Sequence, residues 1–169
     1  MLNQGFLTEL NEYIQKNLNK LRFVECQSIR YSLKRTLSKS APNIELEDYI
    51  ENNRQPTFNK VLFSFIDEKS AKDSDIYNKA GIDRRHFSKI RSNPKYKVGK
   101  NTAVALALAL ELDKKGTDKL LKSAGYSLSD SDTFDLVILF CLDKGVYDIN
   151  DVNQALDYFS LKPLGGALE

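Results

Sequence analysis

Residues 72 to 112 read KDSDIYNKAGIDRRHFSKIRSNPKYKVGKNTAVALALALEL. Asp73 or Ser74 can start a helix that runs to Ala80, because a short polar side chain at a helix start accepts from the free N–H groups of the first turn. Gly81 supplies a residue able to take the left-handed conformation that ends a helix. Asp83 then caps a second helix to about Ser92, which Asn93-Pro94 closes, since proline disfavours helical geometry in the residue before it. Thr102 is placed to cap AVALALALEL, whose alanines and leucines together occupy every face. A helix apolar all round belongs in a core. The order helix, glycine turn, basic helix, basic loop and apolar helix therefore predicts an all-α domain organised around this stretch.

Working outward, Thr57 caps a helix to about Ser70 on which Phe58, Val61, Leu62, Phe65 and Ile66 form one apolar stripe. Upstream, Leu7, Leu10, Ile14 and Leu18 recur at helical intervals and predict an amphipathic helix over about 4 to 20. Residues 22 to 40 have no clean period and read as loop or irregular helix, and Leu46 to Asn52 as a short helix. Downstream, Asp113 to Gly116 reads as a turn and Thr117 to Ser123 as a short helix closed by Gly125. Two further helices follow, Ser131 to Asp143 and Asn150 to Phe159. TFDLVILFCL has the β-branched and aromatic content of a strand, but a cap at Ser129 or Ser131 and the stop at Lys144-Gly145 favour a helix. The expected organisation is an N-terminal helical extension over 1 to 56 and a helical domain over 57 to 164. A tail over 165 to 169 completes it, its Leu168-Glu169 reading as a cloning remnant.

At 169 residues the chain can bury a self-sufficient core. Cys26 and Cys141 lie far apart, in no zinc-like spacing, and read as reduced thiols of a cytoplasmic protein. No apolar run reaches the roughly 18 to 20 residues needed to span a bilayer, so no membrane association is expected. The net charge is only +2, but it is unevenly spread. Residues 57 to 100 hold eleven basic and five acidic side chains, whereas 101 to 169 hold six basic and eleven acidic ones. Residues 84 to 100 alone carry seven lysines and arginines and no acid. That concentration is the expected footprint of an anionic partner.

The stretch around Ala80-Gly81-Ile82-Asp83 and Ser88-Lys89-Ile90 resembles the Cro/repressor-type (Xre-type) helix-turn-helix. Phe87 and Ile90 fall where that family packs its recognition helix, and the alanine/leucine run matches its fourth helix. Tyr77 stands where the family generally has alanine, and Asp73 where a glutamine often binds phosphate. The longer stretch from about Phe58 to Leu164, including FSKIRSN, KSAGYSLS and KPLGG, also resembles an uncharacterised helical domain at the C-terminus of some bacterial macro-domain proteins.

The first resemblance implies a multi-helix bundle containing a helix-turn-helix at about 72 to 92, with extra N- and C-terminal helices. It also implies a transcriptional regulator of a bacterial or phage cytoplasm. Its partner would be double-stranded DNA, with RNA not excluded. Base readout would fall to Arg84, Arg85, Ser88 and Lys89, which lie opposite Phe87 and Ile90 on the helix. Phosphate contacts would fall to Arg91, Lys95, Lys97 and Lys100. The alternative is a protein-interaction or regulatory module that keeps this scaffold without reading DNA, since a fold does not fix a function. Tyr77 and Asp73 favour it, with a protein partner or a homodimer contact on the acidic C-terminal helices through Phe134, Val137, Phe140, Tyr147 and Tyr158, although helically spaced apolar residues such as these five are more simply read as core. The N-terminal segment with Arg30, Tyr31, Lys34 and Arg35 could be a basic arm along a phosphate backbone, and is read in preference as an exposed loop. An enzyme is not expected, nor a cofactor or metal. The single histidine, His86, sits beside Arg85 with no nucleophile or carboxylate constellation near it in sequence, and no Walker, GxGxxG, HExxH or EF-hand pattern occurs.

Overall fold

The computed structural model of the chain describes residues 2–23 and 43–165. The stretch with Arg30, Tyr31, Lys34 and Arg35, and the tail beyond 165, lie outside the described residues. Those residues form an all-α multi-helix bundle with no strand among them: α1 (Gln4–Phe23), α2 (Asn43–Asn53), α3 (Phe58–Glu68), α4 (Asp73–Lys79), α5 (Arg84–Ser92), α6 (Lys100–Ala109), α7 (Lys114–Ser123), α8 (Thr133–Asp143) and α9 (Ile149–Tyr158).

Helix α6 is the centre. Ala103 to Leu110 are all buried, and α4, α7 and α9 pack around it. Alanine is the best helix former, and its small side chain lets neighbouring backbones approach closely, while Leu106, Leu108 and Leu110 fill the space between them. Outside this layer α3 packs on α7, and α1 packs on α8, which itself packs on α9. The α1 contact is aromatic: Phe6 and Tyr13 each bring a ring centroid 5.2 Å from that of Phe140. Leu10 and Ile14 are buried beside them.

The helix starts follow side-chain capping, with several shifts from the expected positions. Thr57 and Asp83 cap α3 and α5 as their sequence positions predict. Helix α6 begins two residues before Thr102, with Gly99 as a cap that makes no side-chain hydrogen bond. Asp113 caps α7, so Gly116 lies inside the helix rather than in a preceding turn. Asp132, not Ser129 or Ser131, caps α8. Asp148 caps α9 through two backbone N–H groups. In each of the last three cases the cap is a carboxylate, which accepts from the free N–H groups and also complements the helix dipole.

The C-terminal strap joins this core to the α4–α5 turn. Leu164 is buried, and Asn153 on α9 both donates to the Leu164 carbonyl, at 2.9 Å, and accepts its N–H, at 2.7 Å. This places Gly165 against Ala80 and Gly81. Gly81 and Gly165 have φ of +60° and +63°, and a Cβ at Gly165 would stand 2.7 Å from the Ala80 carbonyl oxygen. Both positions therefore need glycine for conformation, and Gly165 also for space. Gly165→Ala is expected to lower the unfolding free energy by about 1–3 kcal/mol, the strain of a left-handed non-glycine residue. Asn153→Ala should cost a similar amount, about 1–3 kcal/mol for unpaired buried groups. Urea denaturation of the full chain measures both, and an unchanged midpoint would show that the strap does not stabilise the bundle.

Candidate nucleic-acid interface

The interface is built on α5. Its inner side carries Phe87 and Ile90, 3% and 1% exposed, while Arg84, Arg85, Ser88 and Lys89 are exposed on the opposite side. At about 100° per residue, 84, 88, 85 and 89 fall on one continuous arc away from the core. Asp83 accepts from the Arg85 N–H at 2.7 Å, so the cap carboxylate is held at the helix start rather than along the outer face.

Three contacts fix the position of that helix. Phe87 meets Phe63 of α3 edge-on, with centroids 6.0 Å apart, and Tyr77 of α4 at 5.7 Å. Tyr77, where a small residue is expected, thus becomes part of an aromatic cluster that fills the gap between α4 and α5. At the other end Asn59 of α3 donates its side-chain N–H groups to the carbonyls of Ile90 and Arg91. Those carbonyls have no partner within a helix that stops at Ser92, so Asn59 satisfies them and clamps the end of α5 to α3. Finally, Arg91 pairs with Asp73 at the start of α4 and lies over the Phe63 ring, 4.5 Å from its centroid. Asp73 therefore neutralises one cation of the basic segment.

The loop after α5 is also held in place. Asn93 accepts the Lys95 N–H through its side chain and the Tyr96 N–H through its backbone. The Tyr96 ring packs against His86 with centroids 5.8 Å apart, which gives the half-buried histidine a packing role. Val98 is buried, and its carbonyl accepts from the Tyr126 hydroxyl at 3.2 Å. Lys95 and Lys97 project from this loop and are exposed.

The eight residues singled out from sequence thus separate into two groups. Arg84, Arg85, Ser88, Lys89, Lys95 and Lys97 are brought together on α5 and its following loop, and their five cations form no ion pair among the described residues. Arg91 is engaged with Asp73. Lys100 is engaged as well: its ammonium lies 2.6 Å from Asp135 of α8, a residue 1% exposed. The same Asp135 oxygen accepts the Ser129 N–H at 2.8 Å, while the other oxygen is buried without a hydrogen bond. A carboxylate this deep must keep a cation beside it. Lys100→Met should therefore lower stability by about 3 kcal/mol, the lower end for a buried charge stripped of its partner. Thermal unfolding checks this, and a loss below about 1 kcal/mol would mean that the pair behaves as a surface bridge.

The apolar residues of the acidic C-terminal helices lie mostly in the core, as the simpler reading of them expects. Val137 and Phe140 are buried, Phe134 and Tyr147 are half-buried, and only Tyr158 of the five aromatic and aliphatic residues is exposed. Cys141 is buried as well. Burial first, and the nearby charge of Asp151 second, push its thiol up to about 12. It stays protonated at neutral pH and cannot act as a nucleophile there. A thiol reagent at pH 8 is expected to label Cys141 only after unfolding, as read by peptide mapping; rapid labelling of the folded chain would contradict this packing. Among the described residues no group of three or more His, Cys, Asp or Glu side chains could hold a metal ion, and no helix is long and apolar enough to cross a membrane.

Asn59, Tyr96 and Asp135 were not visible as parts of the site from sequence. Each acts across a gap in the chain, on Ile90, His86 and Lys100 respectively, and no local pattern marks such a contact. Comparison with protein-family models, with curated proteins and with solved structures found no match for this chain.

Proposed function

We propose that the protein binds double-stranded DNA through the outer face of α5, with the loop after it on the phosphate backbone, as a transcriptional regulator would. The observation that carries this reading is the exposed arc of Arg84, Arg85, Ser88 and Lys89 on a helix locked from behind by Phe87 and Ile90. A helix of this width fits the major groove, where arginine pairs bidentately with guanine and each such pair discriminates by about 1–3 kcal/mol.

The division of labour follows from geometry. Arg84, Arg85, Ser88 and Lys89 face outward along one helix and can reach base edges. Lys95 and Lys97 sit on a loop whose backbone is fixed by Asn93 and by the Tyr96–His86 contact. They are suited to phosphates, which set orientation without carrying sequence information. Rigid support matters here because a basic side chain on a fixed backbone loses less entropy on binding. Arg91 contributes less than its charge suggests, because Asp73 already holds it. Lys100 contributes through Asp135 to stability and not to the interface.

Fluorescence anisotropy of a duplex DNA probe across salt concentrations tests the reading, with single-stranded RNA as comparator. The five cations that form no ion pair among the described residues correspond to a slope of log affinity against log salt of about −4.5 if each neutralises one phosphate, and of about −2 if only Lys95 and Lys97 do. The triple variant R84E/R85E/K89E should keep its thermal midpoint, because all three side chains are exposed, and should lose binding. Full affinity in that variant would move the function off α5. No binding of the unmodified protein near ~50 mM salt, where phosphate contacts are strongest, would overturn the DNA reading.

A further inference from the structure

Helix α2 carries an apolar stripe that no other helix among the described residues covers. Leu46, Tyr49 and Ile50 are 55%, 66% and 46% exposed, the largest exposed hydrophobic group among the described residues apart from Tyr158. Their i, i+3, i+4 spacing puts them on one face. Glu47, Asp48 and Glu51 occupy the other side, the helix contains no lysine or arginine, and these acids form no ion pair among the described residues. Helix α2 makes no extensive contact with any other helix. An amphipathic helix exposing three large apolar side chains together marks an interaction surface.

A surface of complementary character lies on the same chain. A groove runs between the start of α3, the loop after α5 and the outer side of α7, in two connected parts of about 600 and 480 Å³ that share Gln55, Pro56, Lys122 and Ser123. Its apolar lining includes Pro56, Phe58, Val61 and Val98. Its rim carries Lys95, Lys97, Lys119 and Lys122, with Asp118, which pairs with Lys122, as the single acid. An apolar floor with a lysine rim is the counterpart of an apolar stripe flanked by carboxylates, in hydrophobicity and in charge.

Residues 54 to 57, all exposed, join α2 to α3, and Gln55 and Pro56 are themselves part of the groove wall. In this arrangement the helix lies outside its own groove with its stripe in solvent. We infer that α2 of one copy docks into the lysine-rimmed groove of a second copy, giving a reciprocal homodimer. A two-fold exchange covers both stripes and both grooves in one closed contact, and a short connecting segment is the usual hinge for it. Lys119 and Lys122 on α7 belong to this contact and not to the DNA-facing set, whereas Lys95 and Lys97 line the same groove and are shared with the proposed DNA surface.

The test is the mass of the full-length chain by sedimentation equilibrium over a concentration series, with far-UV circular dichroism as a check of folding. The unmodified protein should approach twice the chain mass as concentration rises. L46E/I50E, on exposed positions, should remain at the chain mass with unchanged helicity. E47K/E51K and K119E/K122E should each lose the dimer, and all four reversals in one chain should restore it, because only a contact between α2 and the groove reverses both partners together. The chain mass at every concentration would overturn the proposal and point to docking within one chain or on another partner. A dimer that survives either pair of reversals, or that the combined chain fails to recover, would overturn it equally. Mass alone is read, so the outcome does not depend on whether α5 binds DNA.

Discussion

Helix α6 has no solvent face: Ala103 through Leu110 are all buried, so every helix beside it must offer an apolar stripe. This demand orders the bundle. Helix α4 supplies Ile76 and Ala80, α7 supplies Thr117, Leu120 and Leu121, and α9 supplies Val152, Ala155 and Leu156. Each buried leucine of this layer contributes about 2 kcal/mol of hydrophobic stabilisation. Truncation costs more than that transfer alone, because a tightly packed neighbour cannot fully collapse into the space. The outer surfaces of the surrounding helices are left to the charged residues.

The basic face of α5 is a consequence of that packing. Helix α4 is anchored on α6, α5 is anchored on α4 and α3 through the cluster of Phe63, Tyr77 and Phe87, and Asn59 ties down its final carbonyls. Gly81 makes the turn between them, and the strap through Leu164 and Gly165 closes over it. Lys79 of α4 also reaches Glu111 just after α6, at 3.0 Å, and this partner holds the Glu111 carboxyl below the usual range. The arginines of α5 are thereby presented on a rigid scaffold. A surface arranged in this way differs from a solvated charge run, whose side chains have no common orientation.

Much of the helical pattern was legible. Thr57 and Asp83 as caps, Gly81 as the turn, Asn93-Pro94 as the stop and the alanine/leucine run as the core helix all act through neighbours in sequence, where propensity and capping operate. The readings that shifted have a common cause. Ser70, Glu111 and Ser160, each two residues past the end of α3, α6 and α9, take positive φ without being glycine, so the left-handed turn there carries no glycine signal in the sequence. Asp113, Asp132 and Asp148 take the caps in preference to nearby residues because the tertiary path decides which carboxylate faces the free N–H groups. TFDLVILFCL, despite its strand-like composition, is helical as read from its flanks, and α1 and α9 pack against it.

By itself the sequence determined the all-helical class, the central place of the alanine/leucine helix and the opposition of Arg84, Arg85, Ser88 and Lys89 to Phe87 and Ile90. These depend on periods of a few residues and on local hydrogen bonds. Only the tertiary structure decided which charges stay free. It paired Lys100 with Asp135, 35 residues away, and Arg91 with Asp73, 18 away, and left the other five cations of the segment unpaired among the described residues. It likewise buried Val137 and Phe140 while leaving Leu46, Tyr49 and Ile50 exposed, although all five are apolar residues on helices. Periodicity specifies which side of a helix is apolar. Whether another helix covers that side, or an acid reaches a given cation, depends on how distant segments meet in space.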